Sequence, residues 1–460
     1  MAYRRALKSI NKQEKGSVHG VVNIITVFAL ILSAQIVFAG EVPPSGKDMP
    51  ELKRMHDQPP RIEILNYSMV CKLINERFND DPTANDLQHR FNLKGTDLGT
   101  SAASGEQVWF FFGDTMAFKD SWKPGQGPDS VGYVDATAER LAANPELLCG
   151  HLNFLRAKPP AQHDFAAGKM IPPADQPLSM YVRNPAGPKF PDVPGTFEVP
   201  SGAFAYGGDM YIFYTGGPDF SVKPIKMTIS YLAKWVSPSP DKQPHYQILY
   251  MLDELNSGRM GGHFINIAPV VDKDDGYLYM FGSGTYRRSA VYLARKSLKG
   301  LDQPGGFEYF SGPGKWSPES RMAVPIAEEN SVGELSARHY KRIGTWLLMY
   351  AAKGQVVLRA ARRPDGPWSG AIEVHSMRDE TFRERYCCSE GPCEGKHMIH
   401  CGKAGVYAPY LLPVIAPPAK DGTVRINYLL STWDPYNTVL MSADMRISDD
   451  APVRPPQPAH

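Results

Sequence analysis

The chain has 460 residues, which is long enough for one large domain or two ordinary ones. Charged residues make up 21% of it, the formal net charge is +2, and no basic stripe is present, which excludes a disordered chain and argues against a nucleic-acid surface. Aromatic residues make up 11%, and glycine and proline occur 41 times each, which favours many short strands joined by turns over a helical bundle.

Residues 1–39 are predicted to be a signal peptide. An apolar run from Val21 to Phe38 follows a basic region and ends in the small-residue cleavage pattern Val37-Phe38-Ala39. The basic region contains Arg4, Arg5, Lys8, Lys12 and Lys15. The alternative is an uncleaved membrane anchor, because this run is at the short edge of a spanning length. We expect an exported protein, periplasmic or extracellular, that touches a membrane only if the segment is uncleaved.

The rest of the chain is predicted to be a linker over 40–60, a single catalytic domain over 61–450 and a tail over 451–460. Within the domain, a glycine-bearing turn followed by an apolar strand recurs five times. These strands are centred on Trp109, Tyr211, Tyr279, Trp346 and Ile426. Such a repeat predicts an all-β, five-bladed β-propeller with long inter-strand loops, with a two-sheet sandwich as the alternative. One short helix is predicted within residues 135–148.

A segment upstream of each anchor is predicted to form the innermost strand of its blade. These segments are Gly95–Gly99, Pro200–Tyr206, His263–Val271, Gly333–Tyr340 and Gly405–Leu412. In a propeller the innermost strands line the central channel, and their ends form the mouth of a pocket. Polar residues in or beside these segments are therefore candidates for a site. They are Asp97, Glu198, Ser201, His263, Asn266, Glu334, Ser336, Arg338, His339, Tyr407 and Tyr410.

Two aspartates in the first repeat are the main catalytic candidates. Asp97 lies between glycines in Gly95-Thr96-Asp97-Leu98-Gly99, and Asp114 ends the apolar strand Trp109–Phe112 after Gly113. A hairpin would bring both to neighbouring strand ends, and paired carboxylates on a rigid sheet suit general acid/base hydrolysis of a glycosidic bond. The alternative for each is an aspartate that accepts backbone N–H bonds in a turn.

Glu334 is predicted as a third catalytic acid on another inner strand, with an ion pair to Arg338 as its alternative. The hairpin turn near Asp434 is predicted to edge a sugar-binding cleft, although Asp434 itself reads as a turn former. The full set of predicted substrate-binding residues is Glu198, His263, Asn266, Arg338, Tyr407, Trp433 and Asn437.

The six cysteines predict disulfides, because an even count in an exported protein favours them. Cys71 and Cys149 are one possible pair. Four more cysteines crowd into the segment Cys387–Cys401 beside His397 and His400, where one or two disulfides would brace a loop. Zinc is the alternative there, but the paired Cys-x-x-Cys spacing typical of zinc sites is missing. No metal and no cofactor are expected, and no serine-hydrolase elbow, HExxH or phosphate loop occurs.

The motifs resemble a bacterial family first described as a domain of unknown function (number 4185) and later placed as glycoside hydrolase family 183. The matching elements span roughly residues 91–447 and are Gly95–Gly99, Trp109–Thr115, Gly333–Ser336, Trp346–Tyr350 and Trp433–Leu440. The resemblance implies a five-bladed propeller that hydrolyses internal linkages of D-arabinan, the furanose polymer of mycobacterial arabinogalactan and lipoarabinomannan. It also implies inversion of the anomeric centre by two aspartates, which map onto Asp97 and Asp114. The long insert between the first two blades and the Cys387–Cys401 loop depart from the family pattern.

The predicted mechanism assigns Asp97 as the base that activates water and Asp114 as the acid that protonates the leaving oxygen, although which aspartate carries the proton stays open. Glu334 would modulate a pKa or bind a hydroxyl. Two alternatives remain: a non-catalytic carbohydrate-binding propeller, and a propeller glycosidase that acts on another furanoside.

Overall fold

The computed structural model describes residues 58–74, 84–91, 93–117, 129–155, 179–180, 197–217, 227–241, 246–255, 259–389 and 391–449. The predicted signal peptide, most of the predicted linker and the predicted tail lie outside these residues. None of the helices in the described ranges has the length and apolar character that crossing a bilayer requires.

Five antiparallel sheets follow one another along the chain and form the blades of a propeller. Blade one contains β3 (Leu98–Ser104), β4 (Gln107–Asp114), β6 (Asp129–Val134), β7 (Asn153–Phe154) and β8 (Ser179–Met180). Blade two contains β9 (Phe197–Tyr206), β10 (Asp209–Gly217), β11 (Ile229–Trp235) and β12 (Tyr246–Glu254). Blade three contains β13 (Asn266–Asp272), β14 (Tyr277–Ser283), β15 (Val291–Ser297), β16 (Phe307–Gly312), β17 (Lys315–Ser317) and β18 (Pro325–Ala327).

Blades four and five complete the ring. Blade four contains β19 (Leu335–Tyr340), β20 (Thr345–Ala352), β21 (Gln355–Ala361) and β22 (Ile372–Ser376). Blade five contains β23 (Val406–Leu411), β24 (Val424–Thr432), β25 (Asn437–Ser448) and β1 (Arg61–Ile74). The inner strands β3, β9, β13, β19 and β23 contact one another in sequence, and β23 contacts β3, so the ring is closed. This confirms the predicted five-bladed β-propeller.

The first described strand and the last one lie side by side in blade five. β1 pairs antiparallel with β25, from Arg61 opposite Ser448 to Ile74 opposite Thr438. A strand from one end of the domain thus forms the outer edge of the blade that ends the domain. Ring closure by this pairing covers the edge of β25 that would otherwise be open.

The apolar repeats of the sequence become the second strands of the blades. In β4, Val108 and Phe110 point into one core cluster, whereas Trp109 and Phe111 point into the cluster shared with blade two. A strand buried on both faces reads as a continuous apolar run rather than an alternating one. The five predicted anchor residues lie in β4, β10, β14, β20 and β24.

Short helices occupy the connections between strands. The helix predicted within residues 135–148 is divided at Asn144-Pro145, because proline disfavours helical backbone in the residue before it. The described helices are α1 (Leu87–Phe91), α2 (Ala138–Ala143), α3 (Leu147–His151) and α4 (Glu380–Tyr386), with single 3₁₀ turns at Leu298–Gly300, Ser320–Met322 and Lys341–Ile343.

One inner-strand prediction is wrong in its position. The innermost strand of blade one is Leu98–Ser104 and not Gly95–Gly99. Gly95 instead ends β2 (Leu93–Gly95), which pairs with β5 (Met116–Ala117) in a separate two-stranded sheet. Asp97 therefore lies in the short link between β2 and β3, one residue before the channel strand begins.

Candidate active site

The β3–β4 hairpin brings Asp97 and Asp114 to the same end of blade one. Asp97 directly precedes β3, and Asp114 is the last residue of the antiparallel partner strand β4. The Gly113 N–H donates a hydrogen bond to the Asp97 carbonyl over 3.0 Å, which fixes the two strand ends together. Both carboxylates are thus carried on hydrogen-bonded backbone rather than on a free loop.

The Asp97 carboxylate is held by a tyrosine from β23, the inner strand of the neighbouring blade five. The Tyr407 hydroxyl donates to Asp97 Oδ2 over 2.8 Å. Backbone with positive φ lies beside each partner: Leu98 (φ 61°) and Gly99 (φ 102°) beside the aspartate, and Ala408 (φ 51°) beside the tyrosine. The strand pairing shifts register at both places, as in β-bulges, which re-aim side chains near sites.

Gly113 leaves the space that the Asp97 carboxylate occupies. A Cβ at this position would lie 2.5 Å from Asp97 Oδ1 and 2.8 Å from Leu98 Cδ1. Atoms cannot approach that closely, so a glycine is needed opposite Asp97 for the carboxylate to sit where it does.

Burial sets the protonation behaviour of Asp97. The pKa of Asp97 is raised to about 7, mainly because burial removes solvent from the carboxylate. Hydrogen bonds from the Tyr407 and Tyr436 hydroxyls lower this pKa, and the negative charge of Glu334 raises it. A carboxyl that titrates near neutrality can both accept and hold a proton at physiological pH, as a general base requires.

Burial also favours the protonated form of Asp114. Burial raises the pKa of Asp114 well above its usual range, and the negative charges of Asp97 and Glu198 raise it further. The side chain is nonetheless half-buried rather than sealed from solvent. A protonated carboxyl that solvent can still reach suits a general acid.

A third aspartate, Asp129, was not among the predicted site residues. It is the first residue of β6 and pairs directly with Asp114. It is only 3% exposed, and burial followed by the charges of Asp114, Glu198 and Asp97 raises its pKa well above the usual range. The sequence did carry a signal, because Asp129 directly precedes the apolar strand Ser130–Val134 much as Asp114 directly follows one.

Glu198 approaches the same acids from blade two. It is the second residue of β9, opposite Gly216 on β10, and its side chain is half-buried. Its negative charge raises the pKa of both Asp114 and Asp129. Blades one and two therefore bring four carboxyl groups into one electrostatic environment.

Glu334 lies at the start of the inner strand of blade four, but its partner differs from the predicted one. Its Oε1 accepts from the Tyr286 hydroxyl over 2.7 Å and from Arg287 Nη2 over 3.2 Å. The predicted ion pair with Arg338 is wrong. The Arg287 guanidinium, which also lies over the Tyr407 ring at 5.6 Å, comes from the loop after β14 and reaches Glu334 across the blade boundary.

Arg338, a predicted substrate-binding residue, donates hydrogen bonds to the backbone of two other blades. Its Nη2 donates to the Ser101 carbonyl over 2.7 Å, and its Nε donates to the Leu411 carbonyl over 3.2 Å. These bonds join inner strands of blades one, four and five. Because the Arg338 guanidinium donates to these main-chain carbonyls, it does not form the ion pair with Glu334.

The other predicted binding residues divide by exposure. Asn437 is fully buried at the start of β25, so the prediction that it contacts a sugar directly is not supported by its position. Asn266 is also buried and lies 3.9 Å from Met227 Sδ. His263 is half-buried and stacks on Tyr292 with ring centroids 3.7 Å apart, and burial lowers its pKa, so the ring is neutral near pH 7.

Trp433 is the exposed aromatic residue beside the site. Its side chain is 47% exposed, and it packs edge-on against Tyr436 at 5.8 Å between ring centroids. The Tyr436 hydroxyl in turn lowers the pKa of Asp97 through a hydrogen bond. The hairpin that carries Trp433 is held by His400, whose backbone N–H donates to the Asp434 carbonyl over 2.8 Å and whose Nδ1 lies 3.1 Å from Asp434 Oδ1.

All six cysteines form disulfides, as predicted. The pairs are Cys71–Cys149, Cys387–Cys401 and Cys388–Cys393. The first bond ties β1 to helix α3, and the other two close the loop that carries His400. Cys388 and Cys393 also lie near His400 in the arrangement of a metal site, but their sulfurs are bonded to each other, so no thiolate is available as a ligand.

Asp97→Asn should stabilise the fold at neutral pH. An acid whose pKa rises from 3.8 to about 7 on folding is more protonated in the native state, so the free energy of unfolding falls as pH rises through that interval. Asparagine does not titrate, so the unfolding free energy of the variant does not fall in this way. We expect it to exceed the wild type by on the order of 1–3 kcal/mol at about pH 8, and by much less at about pH 4, in urea unfolding.

The exposed Asp135→Asn is the matched control, since Asp135 lies just beyond the far end of β6. It should leave the difference between the two pH values unchanged. If Asp97→Asn is destabilising by the same amount at both pH values, the raised pKa of Asp97 is contradicted.

The fold and the acids define a propeller with a carboxyl-rich channel mouth. The family described as "Domain of unknown function (DUF4185)" matches residues 83–442, and the chain belongs to this family. No curated protein matches the sequence.

Several solved structures match most of the chain at low similarity. The α-L-arabinofuranosidase from Podospora anserina, in complex with cellotriose, shares 12% identity over 84% of this chain and 98% of its own, with a TM-score of 0.44. The catalytic domain of a Coprinopsis cinerea family 62 α-L-arabinofuranosidase shares 12% over 83% and 97%, with a TM-score of 0.45. A thermostable family-43 glycoside hydrolase shares 14% over 79% and 96%, with a TM-score of 0.37. At such low identity no activity is transferred to this chain from these names.

Proposed function

We propose that the protein is an exported glycoside hydrolase that cleaves internal α-D-arabinofuranosyl linkages of D-arabinan. The observation that carries the proposal is the acid pair at the end of the β3–β4 hairpin, with the pKa of Asp97 near 7 and that of Asp114 well above its usual range. Two neighbouring buried carboxyls with raised pKa values suit a pair in which one takes a proton and the other gives one. The motif resemblance to endo-acting D-arabinanases supplies the substrate class, and the signal-like segment and three disulfides support export.

In this mechanism Asp97 takes a proton from the attacking water, and Asp114 gives its proton to the leaving glycosidic oxygen. Tyr407 orients the Asp97 carboxylate through the 2.8 Å hydrogen bond. Glu334, fixed by Tyr286 and Arg287, raises the pKa of Asp97 by its charge and offers a carboxylate oxygen to a sugar hydroxyl. Inversion requires the two working carboxyls to stand about 6.5–9.5 Å apart, with water between one of them and the sugar.

A purely carbohydrate-binding propeller is the less favoured function. A binding function without catalysis would be favoured if the carboxylates of the two aspartates accepted hydrogen bonds from backbone N–H groups in turns. Asp97 Oδ2 instead accepts from the hydroxyl of Tyr407 on the inner strand of blade five.

Tyr407→Phe should shift the pH profile of hydrolysis. The Tyr407 hydrogen bond lowers the pKa of Asp97, so its loss raises that pKa, and Asp97 must be ionised to act as base. We expect the acidic limb of kcat/KM to move to higher pH by roughly one unit. Tyr340→Phe is the control, because the buried Tyr340 hydroxyl donates to the Leu412 carbonyl instead. An unmoved acidic limb in Tyr407→Phe would show that Asp97 is not the base.

Trp433→Ala should weaken binding of the polymer. An exposed indole beside the site offers a flat apolar face on which a sugar ring packs. We expect KM for D-arabinan to rise roughly 10-fold with kcat nearly unchanged, as for loss of a binding contact that is equal in the ground and transition states. Met322→Ala removes a side chain of similar exposure from blade three and should leave KM unchanged. A loss confined to kcat contradicts a binding role.

A panel of polymers tests the substrate class. The purified protein is incubated with D-arabinan, L-arabinan and xylan, and released oligosaccharides are separated by size. The proposal expects a ladder of short oligosaccharides from D-arabinan and almost none from the other two. Release only of monosaccharide, or preference for L-arabinan or xylan, favours the glycosidase that acts on another substrate; no release from any polymer favours the binding protein.

A further inference from the structure

Asp129 occupies an unusual position for a carboxyl group. It lies directly opposite Asp114 in the β4–β6 pairing, where facing Cβ atoms are about 4.5–5.5 Å apart. Its side chain is 3% exposed, and neither carboxyl oxygen accepts a hydrogen bond from any described residue. A buried ionised carboxylate without donors is strongly unfavourable, whereas a neutral carboxylic acid costs far less.

Within the described part of the chain, the groups whose charges act on Asp129 are all acidic. Acidic neighbours come from three elements: Asp114 on β4, Glu198 on β9 and Asp97 before β3. Blade two adds three buried phenols, Tyr214, Tyr231 and Tyr246, from β10, β11 and β12. The hydroxyls of Tyr231 and Tyr246 make no hydrogen bond with the described residues. None of these described groups compensates a negative charge on Asp129.

A bound cation would be another way to neutralise these acids, but the geometry does not favour it. Within the described ranges, the one set of three potential ligand atoms within 4.8 Å of one another is Cys388, Cys393 and His400. The carboxyl oxygens near Asp129 do not converge in this way. A proton on Asp129 also removes negative charge from this group of acids, and it does not need several ligand atoms close together.

We propose that Asp129 is a neutral carboxylic acid that donates a hydrogen bond from its own O–H to the Asp114 carboxylate. The inference rests on the proposed function, in which Asp114 gives its proton to the leaving oxygen. When that proton leaves, Asp114 becomes negative in a buried place, and the Asp129 O–H stabilises the new charge while it keeps its own proton. Solvent water then returns a proton to Asp114 for the next cycle. Asp129 is thus a positioning residue, and Asp114 remains the group that touches the substrate.

The first test reads the proton on Asp129 without any catalysis. Infrared spectra of Asp114→Asn and of the double variant Asp114→Asn/Asp129→Asn are subtracted at neutral pH, so that Asp114 contributes to neither. The expected difference is the C=O stretch of one protonated carboxyl group. A difference that shows only the stretches of an ionised carboxylate overturns the proposal.

The second test compares asparagine and alanine at position 129 in turnover of D-arabinan. An asparagine amide still donates to Asp114, so Asp129→Asn should keep kcat within about threefold, whereas Asp129→Ala should lose about 10- to 100-fold. The alkaline limb of the kcat profile, which reports Asp114, should stay in place for asparagine and move to higher pH for alanine. Asp135→Asn should resemble the wild type in both respects.

The direction of the pH shift separates the two states of Asp129. If Asp129 is ionised, its charge raises the pKa of Asp114, so both variants move the alkaline limb to lower pH, and the proposal is overturned. If the wild type cleaves no arabinan, the proposed function fails, and the infrared test still decides the state of Asp129. If Asp129→Ala does not fold, Asp129→Asn and the infrared difference give the answer.

Discussion

Asp97→Asn and Asp114→Asn should each reduce turnover of D-arabinan by about 100-fold or more. Asparagine has nearly the shape of aspartate but cannot take a proton from water or give one to a leaving oxygen. Because Asp97 carries a destabilising raised pKa, its variant remains folded, so the loss reports chemistry rather than unfolding. KM should change little, since both residues act in the transition state.

The control for these variants is Asp135→Asn, which alters an exposed carboxylate of the same blade. It should retain the wild-type rate. Near-normal release of oligosaccharides by both Asp97→Asn and Asp114→Asn would remove the acid pair from the mechanism. Loss in only one of them would keep that aspartate in the mechanism and remove the other.

Gly113→Ala should disable the site through a single methyl group. The added Cβ would lie 2.5 Å from Asp97 Oδ1, so the carboxylate or the β3–β4 hairpin must move. We expect a loss of about 1–3 kcal/mol in unfolding free energy. Displacement of a catalytic group by about 1 Å should also reduce kcat by on the order of 100-fold.

Gly370→Ala is the matched control, because a Cβ at Gly370 would meet nothing within 4 Å. It should change neither stability nor kcat. Wild-type activity in Gly113→Ala would mean that the Asp97 carboxylate does not need its observed position. A loss of stability without loss of kcat in the remaining folded enzyme would lead to the same conclusion.

The blades were predictable because their signal is local. Each second strand, such as β4 with its run of buried aromatic residues, is covered on both faces and follows a glycine turn. The hairpin between Asp97 and Asp114 is equally local, since a tight turn at Gly105 sets its register. Sequence reasoning therefore reached the fold and placed the two main acids together.

The remaining parts of the site depend on contacts between distant segments. Tyr407 and Asp97 are 310 residues apart, and no local pattern says which tyrosine of blade five meets which acid. Glu334 is paired with Arg287 of blade three rather than with Arg338 on its own strand, because Arg338 is bound to backbone carbonyls across the channel. The pairing of β1 with β25 has the same origin in ring closure.

Asp129 was missed for a different reason. Its importance comes from its place opposite Asp114, which depends on how β6 aligns with β4 after a long connection. Sequence shows that an aspartate precedes an apolar strand, but not that the strand lies next to the one that ends in Asp114. The register of a non-adjacent pairing is decided by the packing of both faces.

The stereochemistry of the first product tests the central claim most directly. Proton NMR can follow the anomeric signals of D-arabinan oligosaccharides within the first turnovers, before mutarotation mixes the anomers. Single displacement by water activated at Asp97, with Asp114 as acid, predicts that the first anomer formed has β configuration, inverted from the α linkage. An α product formed first, or no cleavage of D-arabinan at all, would contradict the account.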